Sequence, residues 1–171
     1  ASAGWDRRGQ HFHSLFQFLL MGLNGAFLTG DLFNLFVFFE VLLAASYGLM
    51  LHGRGAGQRE RLKATTHYVI FNLAGSALFL LAVSLLYGVA GTLNMADLAV
   101  KLPQLAAQNQ RLAQSALLML LVGFAVKAAL LPLYFWLTDT YASASAPTAA
   151  LFAVLTKVGV YAIVRATTLF V

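Results

Sequence analysis

The chain has 171 residues, of which 60% are hydrophobic and 10% charged, with a mean hydropathy of +0.78 and a formal net charge of +5. A charged fraction so far below the ~25% of soluble domains leaves too little polar surface for a water-soluble fold, so the sequence reads as an all-α membrane protein embedded in the lipid bilayer. With no cysteine it builds no disulfide, iron–sulfur or zinc-thiolate site, and no basic face with interleaved aromatics exists outside the apolar runs to bind nucleic acid.

Apolar runs of crossing length, roughly 17 to 25 residues each, fall at about 13–30, 32–51, 68–90, 113–140 and 147–170. They predict a single bundle of five transmembrane helices over residues 1–171. Ahead of the first run, His11 and His13 stand at the membrane boundary and read as interfacial residues, so no metal or cofactor site is assigned. The first span carries Gln17, Asn24 and a Gly22-x-x-Gly25 spacing, a pattern of close packing on neighbouring helices. Asp31 follows in a turn and suits the N-cap of the second span.

Glu40 lies close to the middle of that second span. Phe33, Phe36, Ala44 and Tyr47 share its face at helical spacing, so only a water or the Tyr47 hydroxyl would satisfy the carboxylate within its own helix. Residues 52–66 read as a loop with Arg54, Arg59, Arg61 and Lys63, placed on the cytoplasmic side by its positive charge. Counting Arg7 and Arg8, that side receives six basic residues and the other receives three, Lys101, Arg111 and Arg165. His67 at the start of the third span is a candidate proton acceptor, because histidine titrates nearest neutral pH. The third span itself, with Asn72, Gly75, Ser76 and Ser84 and no charge, reads as a packing helix.

Beyond it, Asn94 caps a short amphipathic segment whose Met95, Leu98, Leu102 and Leu105 recur every three or four residues until Pro103. The fourth span holds Lys127, too far from either end of its apolar run to snorkel, where a cation costs roughly 2.5–3.5 kcal/mol. Pro132 gives no N–H to the Ala128 carbonyl and clashes with it, so the helix is expected to break there, with the carbonyl end of its first half beside Lys127. Trp136 and Tyr141 fit an interfacial belt. The last span opens at Pro147 and carries Lys157 near its middle, with Tyr161 on the same face and Arg165 within snorkelling reach of its end. Glu40, Lys127 and Lys157 thus fall near half depth on three helices, as an acid and two bases would to relay protons.

Four long motifs give these residues a family setting. They are Gly25 to Glu40 (Gly-Ala-Phe-Leu-Thr-Gly-Asp-Leu-Phe-Asn-Leu-Phe-Val-Phe-Phe-Glu) with Ala45-Ser-Tyr47, and Gly91 to Leu98 (Gly-Thr-Leu-Asn-Met-Ala-Asp-Leu). The others are Val126 to Trp136 (Val-Lys-Ala-Ala-Leu-Leu-Pro-Leu-Tyr-Phe-Trp) and Leu155 to Tyr161 (Leu-Thr-Lys-Val-Gly-Val-Tyr), followed by Arg165. Together they resemble the D subunit of Mrp-type (Mnh, Pha) multisubunit cation/proton antiporters, which is similar to the antiporter-like subunits of respiratory complex I. The resemblance implies a transporter subunit and not an enzyme, in the bacterial cytoplasmic (inner) membrane, exchanging protons for Na+ or K+ together with other antiporter subunits. It implies a Glu40–Lys127 pair that modulates a proton site and Lys157 as the central relay.

Such subunits contain a second, inverted five-helix repeat, and this chain matches the first, so a portion of a longer subunit is expected. Where complex I relatives read Pro-Asp-Ala-His after the Trp-Leu pair, residues 138–141 here are Thr-Asp-Thr-Tyr, which removes a histidine relay. The alternative readings are a proton-pumping subunit of complex I or of a membrane-bound hydrogenase, and a scaffold subunit with no ion path.

Overall fold

The computed structural model describes residues 4–52 and 57–170. Its helices are α1 (Phe12–Leu28), α2 (Leu32–Leu51), α3 (Gln58–Ala90), α4 (Met95–Lys101), α5 (Ala107–Lys127), α6 (Phe135–Ser143) and α7 (Ala146–Phe170), with short 3-10 turns at Trp5–Arg8 and Leu102–Gln104. Among the described residues no strand forms, only one isolated bridge between Asp31 and Asn94. Helices α2, α3 and α7 are long and apolar enough to cross a membrane, and α1 is a shorter apolar helix of 17 residues.

The expected loop at 53–66 is corrected in part: α3 begins at Gln58 and takes Arg59, Glu60, Arg61 and Lys63 into its first turns. Arg54 lies outside the described residues. Good helix formers fill that segment, and Arg61 is fastened there by donating to the His52 carbonyl at 3.2 Å. At 33 residues α3 is about 50 Å long, well beyond the ~30 Å hydrocarbon thickness, so its charged first turns project past the apolar layer. At its other end Gly91 stops the helix with φ 69°, a left-handed conformation that glycine adopts without strain.

The bundle has two distinct ends. One carries the α2–α3 connection, the Trp5–Arg8 turn and the α6–α7 junction. The other carries the α1–α2 turn, α4 and the C-terminus of α7. At this second end the main chain is strapped together, with Leu32 donating to the Leu93 carbonyl at 2.9 Å and Met95 to that of Gly30 at 2.8 Å. Asp31 caps α2 as expected, accepting from the Asn34 N–H at 2.9 Å, and Asn94 caps α4 through Ala96 and Asp97. Replacing Asp31 with Ala is expected to cost about 1 kcal/mol, which a thermal melt of the detergent-solubilised subunit would register as a lowered Tm.

Glycines set the closest helix approaches. A Cβ built on Gly22 would lie 2.7 Å from that of Leu42, which brings α1 against α2. One on Gly123 would lie 3.1 Å from the Gly75 carbonyl oxygen, which brings α5 against α3. Both contacts fit the small-residue logic of helix packing in membranes.

Candidate functional site

At the crossing of α2, α3 and α5, Lys127 is buried, its side chain only 2% exposed. Its ammonium Nζ donates to Ser76 Oγ at 2.8 Å, and the Ser76 hydroxyl donates in turn to Glu40 Oε1. The direct Lys127–Glu40 separation is 3.7 Å, so the serine bridges the pair while leaving a longer ionic contact in place. Glu40 is less enclosed, its side chain 34% exposed. The Phe39 ring stands 5.2 Å from the ammonium and adds its negative face to the site.

The break that places Lys127 begins earlier than the proline. Helix α5 ends at Lys127, residues 128–134 are irregular, and α6 resumes at Phe135. Pro132 leaves the Ala128 carbonyl without its helical donor, and the chain turns at Ala129, a non-glycine residue at φ 52°. Freed backbone groups are re-satisfied locally: Leu130 donates to the Ala125 carbonyl at 3.0 Å, and the Trp136 indole donates to that of Val126 at 3.2 Å. Lys127 therefore occupies the last position of α5, where a cation meets the negative end of the helix dipole.

The surroundings of the pair differ toward the two ends of the bundle. Toward the Gly30 end, Phe36, Phe79 and Phe124 close the space together with Phe39, with centroid separations of 5.5 Å for Phe36–Phe79 and 4.9 Å for Phe79–Phe124. Toward the α2–α3 connection the lining is polar. Ser46 and Tyr68 share a hydrogen bond of 2.7 Å, Tyr47 packs edge-on against Tyr68, and Tyr68 stacks on Trp136.

Of the residues singled out from the sequence, Glu40 and Lys127 are brought together and Lys157 is not. Lys157 is exposed on α7, beside Ala128, Val160, Tyr161 and Val164. Tyr161 also lies apart from the pair: its hydroxyl donates to the Phe27 carbonyl at 3.1 Å and accepts from Arg165 at 2.9 Å, joining α7 to α1. His67 is exposed on α3, one residue before the buried Tyr68. Trp136 corrects the interfacial expectation, being 5% exposed and clamped to α5 through Val126, because α6 resumes against the middle of α3 and its indole stacks on Tyr68. Glu40 is met by Ser76 and not by Tyr47. Ser76 carries no signal of its own in the sequence, since a hydroxyl in a chargeless apolar helix looks the same whether it packs or bridges.

The family model for the transmembrane region of NADH:quinone oxidoreductase and Mrp antiporters matches residues 29–171, which contain every residue of this site. The chain belongs to that family. Within the Mrp antiporter group it is 61% identical over 163 residues to the D subunit of the probable K(+)/H(+) antiporter of Rhizobium meliloti (strain 1021), covering 95% of this chain and 30% of the relative. Its fold matches a chain of the Mrp complex from Dietzia sp. DQ12-45-1b with a TM-score of 0.80 and 37% identity, over 91% of this chain and 29% of that one. It also matches a chain of the archaeal membrane-bound sulfane sulfur reductase with a TM-score of 0.81 and 39% identity, over 91% and 31% respectively. This chain therefore spans about a third of the length of the Mrp antiporter family proteins it resembles.

Proposed function

We propose that this chain is the proton-handling part of a subunit of a monovalent cation/proton antiporter complex, Na+ or K+ being the cation, in the bacterial cytoplasmic membrane with the α2–α3 connection on the cytoplasmic side. The observation that carries the reading is the buried ammonium of Lys127 joined to the Glu40 carboxylate through a hydroxyl. Ser76 accepts from one and donates to the other, so its single proton orients with the charge state of the pair. Protonating Glu40 weakens the pull on Lys127, and ionising Glu40 restores it. The two groups thereby form a switchable pair whose charge state answers to proton arrival.

Lys157 would be the next station. It lies on an exposed face of α7 beside Ala128, while the buried Gly159 of the same helix packs directly against that residue of the break, and the remainder of a longer subunit would cover it. Pro132 sets the break that lets α5 end at Lys127, and His67 stands near the proposed cytoplasmic surface as a collector of protons. Tyr161 would hold Arg165 and α1 in place beside Lys157.

The test uses the full-length subunit in its assembled complex. Glu40→Gln is expected to abolish cation-dependent proton flux in membrane vesicles, and wild-type flux in that variant would remove the reading. Ser76→Ala, which keeps both charges but removes the bridge, is expected to slow flux about tenfold, the worth of one hydrogen bond in the transfer step.

A second reading is favoured by the near-equal likeness to the sulfane sulfur reductase chain: the same proton machinery driven by a redox complex. The polypeptides that co-purify with the full-length chain separate the two, antiporter subunits supporting the first reading and redox subunits the second.

A further inference from the structure

Two buried polar atoms near the pair have no hydrogen-bond partner among the described residues: the hydroxyl of Tyr47 and the side-chain oxygen Oδ1 of Asn72. Asn72 is 1% exposed, and its amide nitrogen is already spent on the Tyr68 carbonyl at 3.0 Å. Its oxygen therefore remains as a fixed acceptor. Unpaired buried polar groups are costly, so two in one region call for a shared partner.

Register places them together. The Glu40–Ser76 and Ser46–Tyr68 contacts align α2 antiparallel to α3. Asn72, one turn from Ser76 toward the α2–α3 connection, therefore faces α2 between Glu40 and Ser46. Tyr47 lies two turns from Glu40 on the same side of α2, and helical side chains lean toward the N-terminus, which tips its hydroxyl back toward Glu40. Both atoms thus sit between the Ser46–Tyr68 pair and the Glu40–Ser76–Lys127 cluster. On the opposite side of the cluster stand the rings of Phe36, Phe79 and Phe124.

We propose that Tyr47 and Asn72 bind a water that connects Glu40 toward the α2–α3 end of the bundle, giving the pair one wet side and one dry side. A buried water takes about three hydrogen bonds. Here it would donate to Asn72 Oδ1, accept from Tyr47 Oη, and donate its second proton to the Glu40 oxygen that Ser76 does not use. For transfer, the water gives that proton to Glu40 and receives one from the Tyr47 hydroxyl, which is reprotonated from the connection side, so no net charge stays on either. Asn72 carries no proton and acts as a positioning residue. This inference rests on the reading of Glu40 given above.

Two measurements on the assembled full-length complex test it. A map that resolves ordered waters is expected to show density within about 3.2 Å of both Tyr47 Oη and Asn72 Oδ1; dry packing there overturns the proposal. Tyr47→Phe and Asn72→Leu are each expected to lower maximal proton flux about tenfold, the effect of one lost hydrogen bond, with the half-saturating cation concentration unchanged. Wild-type flux in Tyr47→Phe, alongside a dead Glu40→Gln, overturns the water route and leaves the pair standing. Active Glu40→Gln removes both. Should Asn72→Leu fail to assemble, the map and Tyr47→Phe, which keeps the ring against Tyr68, decide the matter.

Discussion

Lys127→Met in the assembled complex is expected to abolish cation-dependent proton flux while the subunit still accumulates and assembles. The physical reason is that charge and packing separate at this position. Methionine keeps most of the lysine stem's volume in a site enclosed by α2, α3 and α5, so the core loses little contact. What disappears is the ammonium that Ser76 and Glu40 answer to. Replacing a buried ion pair wholly by apolar groups is often neutral or stabilising, whereas removing one partner strands the other. Glu40→Ala should accordingly be the less stable single variant, because it leaves the enclosed ammonium with the hydroxyl alone. The loss should fall at or below the ~3 kcal/mol lower bound for a buried pair, since the Glu40 side chain is one-third exposed. The double variant Lys127→Met with Glu40→Leu should recover wild-type stability and remain inactive. Thermal melts and vesicle flux on the same three preparations check this, and flux in Lys127→Met would end the proposed role for the lysine.

The second large effect is mechanical. A Cβ added at Gly159 would lie 2.6 Å from the backbone nitrogen of Ala128 and 2.7 Å from its Cα, closer than carbon atoms approach main chain. Neither group has a side chain to swing away, so Gly159→Val must push α7 off the broken segment. Overpacking of this kind costs about 1–3 kcal/mol or more and here opens the floor beneath Lys127. The expected result is a marked fall in the amount of assembled subunit and in flux per subunit. Gly88 is the control, because a Cβ there meets nothing within 4 Å and α3 continues through it. Gly88→Ala is expected to stabilise by up to ~1 kcal/mol, with flux unchanged. Equal damage from both substitutions would show that the close approach of Gly159 does not matter.

The sequence makes the helical membrane class, the break near Pro132 and the anomalous placement of Glu40 and Lys127 legible, because each is a local violation of what lipid tolerates. A charge in an apolar run and a proline without its acceptor both announce themselves in a single segment. Ser76 does not, since its role exists only through the register of α2, α3 and α5, and nothing local distinguishes it from Ser84. Helical spacing puts Glu40, Lys127 and Lys157 at one depth but leaves the rotation of each helix undetermined. That rotation turns Lys127 inward and Lys157 outward. The early start of α3 is hidden for a related reason: a basic stretch reads as a connection when hydropathy alone is counted, although its residues form helix well. Trp136 looks interfacial because the packing of α6 against Tyr68 and Phe71 of α3 cannot be inferred from the proline alone.

The strap at the Gly30 end has its own consequence. Its two fastenings, Leu32 to Leu93 and Met95 to Gly30, are made by peptide groups, so their donors and acceptors persist whichever side chains replace those residues. The two fastenings themselves therefore outlast side-chain changes at these four positions, save that proline at 32 or 95 deletes a donor outright.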